Sequence, residues 1–184
     1  MAFALIKKIY CILSKFFKLY FPEKNYLYKI EEIDEFSNRI VISCRGKGVT
    51  LVSTIEDVGY DEYIINFLPP HQACWVGYYF GKKWNINKED KRNKKKFNSH
   101  PKHYDSNYKI ICQNRLGEII FQNAQSGSVY KMEPIELAKS KTITKFNSSQ
   151  AFYVGFLAAL KNIKDSKKKT HNQNTNKPHL QLVK

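Results

Sequence analysis

Arginine is scarce in this chain of 184 residues: of 31 basic side chains only Arg39, Arg45, Arg92 and Arg115 are arginines. Positive charge is therefore mostly lysine, a hydrated point charge without the planar fork that reads carboxylate or phosphate in bidentate fashion. Cysteine is sparse as well. Cys11, Cys44, Cys74 and Cys112 are widely separated, and neither a CxxC pair nor a Cys/His spacing suited to zinc occurs. The expectation is reduced core thiols in a cytoplasmic protein, with no metal and no cofactor. HExxH, a nucleophile elbow, a P-loop and a dinucleotide fingerprint are all missing. So are long apolar runs: a spanning helix needs about 20 such residues, and the lysine-free apolar run of the first segment is only Ile9–Leu13. No small-residue cleavage site follows it, which argues against a signal peptide.

What is present is an internal echo. Gln72–Lys83 reads QACWVGYYFGKK and Gln150–Lys161 reads QAFYVGFLAALK. The two share Gln, Ala, Val, Gly and the closing Lys, and aromatic Trp75 and Tyr78 face aromatic Tyr153 and Phe156. Ala73, Gly77 and Gly81 recur every fourth residue, as do Ala151, Gly155 and Ala159. On a helix that spacing makes one row of small residues along one face. Glycine inside a helix costs about 0.5–1 kcal/mol relative to alanine, so a close backbone approach is expected to offset it. Three arrangements satisfy this: the helices cross each other ridge on ridge, each lays its small face on its own sheet, or a ligand approaches the backbone at Gly77 or Gly155. Paired Gly/Ala-faced helices also occur in LAGLIDADG homing endonucleases, to which VGFLAAL is faintly similar. The acidic metal ligand near the helix ends of that family is replaced here by Lys83 and Lys161, and the strands that should follow the second helix are replaced by a polar tail. The resemblance is set aside on both counts.

The net charge of +15 is unevenly spread. Met1–Pro22, Lys82–Lys102 and Lys161–Lys184 together hold 20 basic and 3 acidic residues, leaving 11 basic and 13 acidic for the rest. The nearly neutral remainder, Glu23–Gly81 and His103–Leu160, falls into two pieces of almost equal length. A piece of that size buries only a marginal core alone, so both halves are expected to pack as one domain. The fold class read from this is α+β: residues 23–81 and 103–163 as two similar β-hairpin-rich units, each ending in its Ala/Gly-faced helix. Residues 1–22 form a basic amphipathic helix, 82–102 a basic loop, and 164–184 a disordered basic tail.

Within the first unit the alternation predicts strands over Asn25–Glu31, Arg39–Arg45, Val49–Ile55 and Tyr63–Leu68, with a hairpin turn at Gly46-Lys47-Gly48. Pro69 and Pro70 then lead into the helix. Within the second unit, Tyr108–Gln113 and Glu118–Asn123 form a hairpin, Val129–Ile135 and Lys141–Phe146 read as strands, and Ser148 or Ser149 caps the helix. Phe67 and Phe146 precede their helices at similar distances. Trp75, Tyr78, Tyr79 and Phe80 read as core, because their helix is apolar nearly all round.

Two groupings carry possible function. On the first, Lys7, Lys8, Lys15 and Lys18 lie in one arc of the Ala2–Phe21 helix, opposite Phe3, Ile6, Ile9, Leu13, Phe16 and Phe17. That pattern suits a membrane-surface helix, though the apolar face can equally dock on the protein's own core or on a partner. With Lys82, Lys83, Lys91, Arg92, Lys94, Lys95 and Lys96 it points to a non-enzymatic protein held to a polyanion, first an anionic membrane on its cytoplasmic face and second nucleic acid bound through phosphates. The other grouping is Glu56, Asp57, Asp61 and Glu62 before His71, an acid-rich cluster that an enzyme could use; solvated loop carboxylates explain it more simply. His100 and His103 flank Pro101, too few ligands for a metal site.

Overall fold

The computed structural model describes residues 26–86 and 106–175, with side chains through Trp84 in the first stretch and through Lys167 in the second. The amphipathic helix expected over 1–22, the run containing Lys91, Arg92 and Lys94–Lys96, and residues 176–184 lie outside them. Two antiparallel three-stranded meanders make up the β structure of the described residues. The first is β1 (Tyr28–Asp34), β2 (Arg39–Cys44) and β3 (Val49–Thr54), followed by α1 (Ile55–Tyr60), α2 (Glu62–Phe67) and α3 (Pro70–Ile86). The second is β4 (Tyr108–Gln113), β5 (Ile119–Asn123) and β6 (Val129–Met132), followed by α4 (Pro134–Lys139), a 3-10 turn (Lys141–Lys145) and α5 (Ser148–Thr175). The order of elements is the same in both, so the protein is an α+β domain of two similar units.

The likeness extends to irregularities. Ile30 pairs with Ile42 and Glu32 with Val41, which leaves one extra residue in β1; Ile110 and Cys112 bracket the same bulge in β4. Ile40 and Ile42 are fully buried on the inner face of the first sheet, and Ile119 and Phe121 on that of the second. The β2–β3 turn is made by Gly46 and Gly48 at positive φ, and the other three hairpin turns use one device, an Asn or Asp carboxyl or amide oxygen accepting from the backbone beyond it. Asp34 accepts from Phe36 N at 2.9 Å, Asn114 from Leu116 N at 3.0 Å and Asn123 from Gln125 N at 2.8 Å.

Several expected elements differ. Tyr63–Leu68 is not a strand but α2. Asp61 caps it by accepting from Tyr63 N and Ile64 N, and its buried residues Ile65 and Leu68 sit three apart, a helical interval. Lys141–Phe146 is likewise a 3-10 turn, burying Ile143 and Phe146 at the same interval. The strand expected over Val129–Ile135 stops at Met132, because Pro134 starts α4 at a position where its missing N–H costs nothing. The residue equivalent to Phe146 is Leu68, fully buried, rather than Phe67, which is exposed. Neither serine caps α5: Asn147 does, its side-chain oxygen accepting from Gln150 N at 2.8 Å, while Ser148 Oγ donates across the unit boundary to the Leu68 carbonyl. Lys82 and Lys83 belong to helix α3 rather than to a loop, and α5 continues to Thr175 through much of the expected disordered tail.

Helices α3 and α5 cross at the centre. A β-carbon placed on Gly77 would lie 2.8 Å from the Phe152 carbonyl carbon and 3.1 Å from Phe152 Cα; one on Gly155 would lie 2.9 Å from the Cys74 carbonyl carbon and 2.9 Å from Tyr78 N. Gly77 thus meets the residue three before Gly155, and Gly155 the residue three before Gly77. That reciprocity is a local pseudo-twofold axis. Ala73, Ala151 and Ala159 are fully buried, and a β-carbon on Gly81 would sit 2.9 Å from Ala159 Cβ. Because Cys74 lies at Gly155 and Gly81 at Ala159, contacts advance in the same direction along both helices, and α3 and α5 run parallel. Phe80 seals the junction, with ring centroids 5.8 Å from Phe152, 6.1 Å from Phe156 and 5.0 Å from Tyr60.

Candidate functional site

Of the lysines read as polyanion-binding, the described residues include only Lys82 and Lys83, both near the C-terminal end of α3. Lys82 is held: its Nζ lies 2.9 Å and 3.0 Å from the two carboxylate oxygens of Glu35 and 5.2 Å from the centroid of the Tyr78 ring. Partial burial works against its ammonium, but the hydrogen bond and charge of Glu35, helped by Tyr78 and Tyr79, prevail and raise its pKa. Lys83 is half-buried. Next along α5, Lys161 pairs with Glu133 at 2.7 Å, and Lys164 and Lys167 are exposed. Since α3 and α5 run parallel, these lysines collect at one end of the body. Lys161 closes the second small-faced helix as expected, whereas Lys164 and Lys167, expected in a disordered tail, are carried on the same helix α5.

Two of the four acids, Asp57 and Asp61, take part in helix caps. Asp61 is the cap of α2, and Asp57 accepts from Thr54 Oγ1 at 2.6 Å while its own N–H donates to that hydroxyl at 3.1 Å. Both carboxylates are thereby tied to helix starts. His71 rests edge-on against Trp75, ring centroids 5.5 Å apart, and burial lowers its pKa. No group of three metal-ligating side chains converges among the described residues. Cys74 is buried and its thiol is pushed up to about 12 by that burial, while Cys112 is half-buried. A neutral thiol of this kind is a poor nucleophile.

Gln72 and Gln150, the first shared letters of the repeat, are the polar residues at its heart. Gln72 accepts from Ile30 N at 2.8 Å and donates to Ile30 O at 3.5 Å, so α3 pins the bulge of β1. Gln150 is fully buried and accepts from Ser106 Oγ at 3.2 Å.

Beside β1 the sheet edge, α3, α4 and α5 enclose a cleft of about 530 Å³. Trp75, expected in the core, is instead 51% exposed and stands on its wall with Tyr78 and Tyr79. The opposite wall is Ala138 and Ala158, with Asn162 donating to Tyr78 Oη at 2.7 Å. Volume and apolar lining are those of a small-molecule site. No helix of the described residues is long and apolar enough to cross a membrane. Comparison of the chain with protein-family models, with curated proteins and with solved structures finds no match.

Proposed function

We propose that this is a non-enzymatic protein that attaches peripherally to a polyanionic surface, the cytoplasmic face of an anionic membrane. The observation that carries the reading is the parallel crossing of α3 and α5, which sends two lysine-bearing helix ends out of the same end of a nearly neutral body. Lys164 and Lys167 on α5 leave alongside α3, whose chain continues into the sequence KEDKRNKKK. Each lysine that reaches a charged leaflet contributes roughly 1 kcal/mol at physiological salt, so a group of five or six suffices for reversible attachment. The amphipathic sequence of residues 1–21 supplies a second, apolar signal.

Co-sedimentation with vesicles tests this. Binding is expected to vesicles containing phosphatidylserine and not to pure phosphatidylcholine, to weaken with salt, and to drop on Lys164→Glu/Lys167→Glu or on removal of residues 1–21. Equal binding to both lipids, or none to either, refutes it. Lysines that contact phosphates also suit nucleic acid. A gel shift abolished by deleting residues 88–96, without lipid binding, transfers the conclusion to that polymer.

A further inference from the structure

We infer that the cleft beside β1 binds a small, flat aromatic molecule of the indole class. The argument comes from comparing the two halves at equivalent positions and does not rest on the membrane reading. Gly77 matches Gly155 and Leu68 matches Phe146, which aligns Phe80 with Ala158 and Trp84 with Asn162. The buried pair Val58 and Leu137 aligns Gly59 with Ala138.

In the half-site beside β4, the space between the crossing helices and α1 is filled by the protein itself. The Phe80 ring lies against Phe152, Phe156 and Tyr60, and the Trp84 indole lies 5.9 Å from Phe80 and 6.1 Å from Phe156. Gly59 makes room for that plug, since a β-carbon there would come within 2.8 Å of three Phe80 ring carbons. The residues that surround the plug, Phe152, Phe156 and Tyr60, have as counterparts Cys74, Tyr78 and Lys139, and all three of these line the open cleft. At the cleft, therefore, the same three positions form the wall, with Cys74 and Lys139 in place of two aromatic rings, and the filling is absent. Ala158 replaces the phenyl ring, Asn162 replaces the indole, and Ala138 supplies the methyl that would exclude a phenylalanine at 158.

Such a loss of packing would ordinarily be repaired, because interiors close to crystal-like density and each vacated methylene lowers stability. The walls have instead acquired ligand-like features. Trp75, Tyr78 and Tyr79 present three aromatic surfaces for offset or edge-on contact with a ring. The Asn162 amide and Tyr78 hydroxyl place a hydrogen-bonding pair where the plugged half has its indole. The missing bulk, a benzene ring plus an indole, sets the size and flatness of the occupant.

Indole itself is the probe, followed by amide and side-chain NMR shifts of the full chain. Saturable shifts are expected at Trp75, Ala158 and Asn162. Ala138→Gly/Ala158→Phe, which copies the Gly59–Phe80 plug, should weaken binding at least tenfold. Trp75→Ala, a change at an exposed side chain that leaves the fold intact, should weaken it about fivefold and decides the matter should the double variant fail to fold. Shifts that do not saturate up to the solubility limit of indole overturn the inference. So does binding that survives Trp75→Ala unchanged, or that persists in a folded double variant.

Discussion

Replacing Gly77 by alanine gives the sharpest test of the helix crossing, because two effects oppose each other in sign. In an exposed helix the change is favourable by about 1 kcal/mol, through helix propensity and the narrower unfolded ensemble. Here the new β-carbon would stand 2.8 Å from the Phe152 carbonyl carbon, where carbon atoms rest at about 3.5–4.0 Å. The obstacle is main chain of another helix, so it cannot turn aside as a side chain would. α3 and α5 must separate by roughly 0.7 Å or more, loosening the contacts of Gly81, Ala159 and Phe80 together. Overpacking of this kind costs about 3 kcal/mol, the upper end of its usual range, and the net loss is about 2 kcal/mol. For a body of this size that is a fall in Tm of about 8 °C. Gly81→Ala meets only Ala159 Cβ at 2.9 Å and Phe156 at 3.0 Å and beyond, so it should lose less. Urea unfolding of both variants, followed by circular dichroism, checks the order. A Gly77→Ala protein more stable than wild type would refute the crossing.

Gln72→Leu leaves Ile30 N at the bulge without its acceptor, and a loss of about 1–3 kcal/mol with faster exchange of that amide is expected by hydrogen-exchange NMR. Asp61→Ala removes the cap of α2 and should lower stability by about 1 kcal/mol, read from the urea midpoint. Cys74 is held protonated up to about 12, while an unfolded cysteine ionises near the ordinary 9. Its contribution to stability is therefore complete below pH 9 and is lost as pH rises from 9 towards 12. Urea midpoints of wild type should fall between pH 8.5 and 10.5 more steeply than those of Cys74→Ala, and parallel curves would contradict the burial of that thiol.

The parts of the fold that could be read beforehand are those where sequence period and structure coincide. Two runs sharing Gln, Ala, Val and Gly pointed to paired helices, and alternating Arg39–Arg45 and Val49–Ile55 pointed to a hairpin. The six-residue helices were hidden, because Tyr63, Ile65 and Phe67 alternate as a strand would while the residues that decide burial are Ile65 and Leu68. Fewer than two turns are too short for a periodicity to declare itself, and the Asp61 cap outweighs the pattern. Pro134 falls inside the expected Val129–Ile135 strand, and it is there that a helix begins. From Lys164 on composition predicts disorder, yet the helix begun by a buried face runs on to Thr175. The cleft was also in view, at the positions where the repeat fails: Phe80 against Ala158, Trp84 against Asn162. Likeness drew notice where difference was the signal.

The reciprocity at Gly77 and Gly155 has a consequence for how such a chain can arise. A surface that fits a near-copy of itself about a twofold axis is an isologous interface, the kind that joins identical subunits. A chain holding one half would offer the same crossing surface to a second copy, and joining two halves in one chain raises their local concentration. Fusion then frees the two faces from having to stay identical. One cavity of a symmetric ancestral dimer can fill with phenylalanine and tryptophan and secure the assembly, while its twin stays hollow.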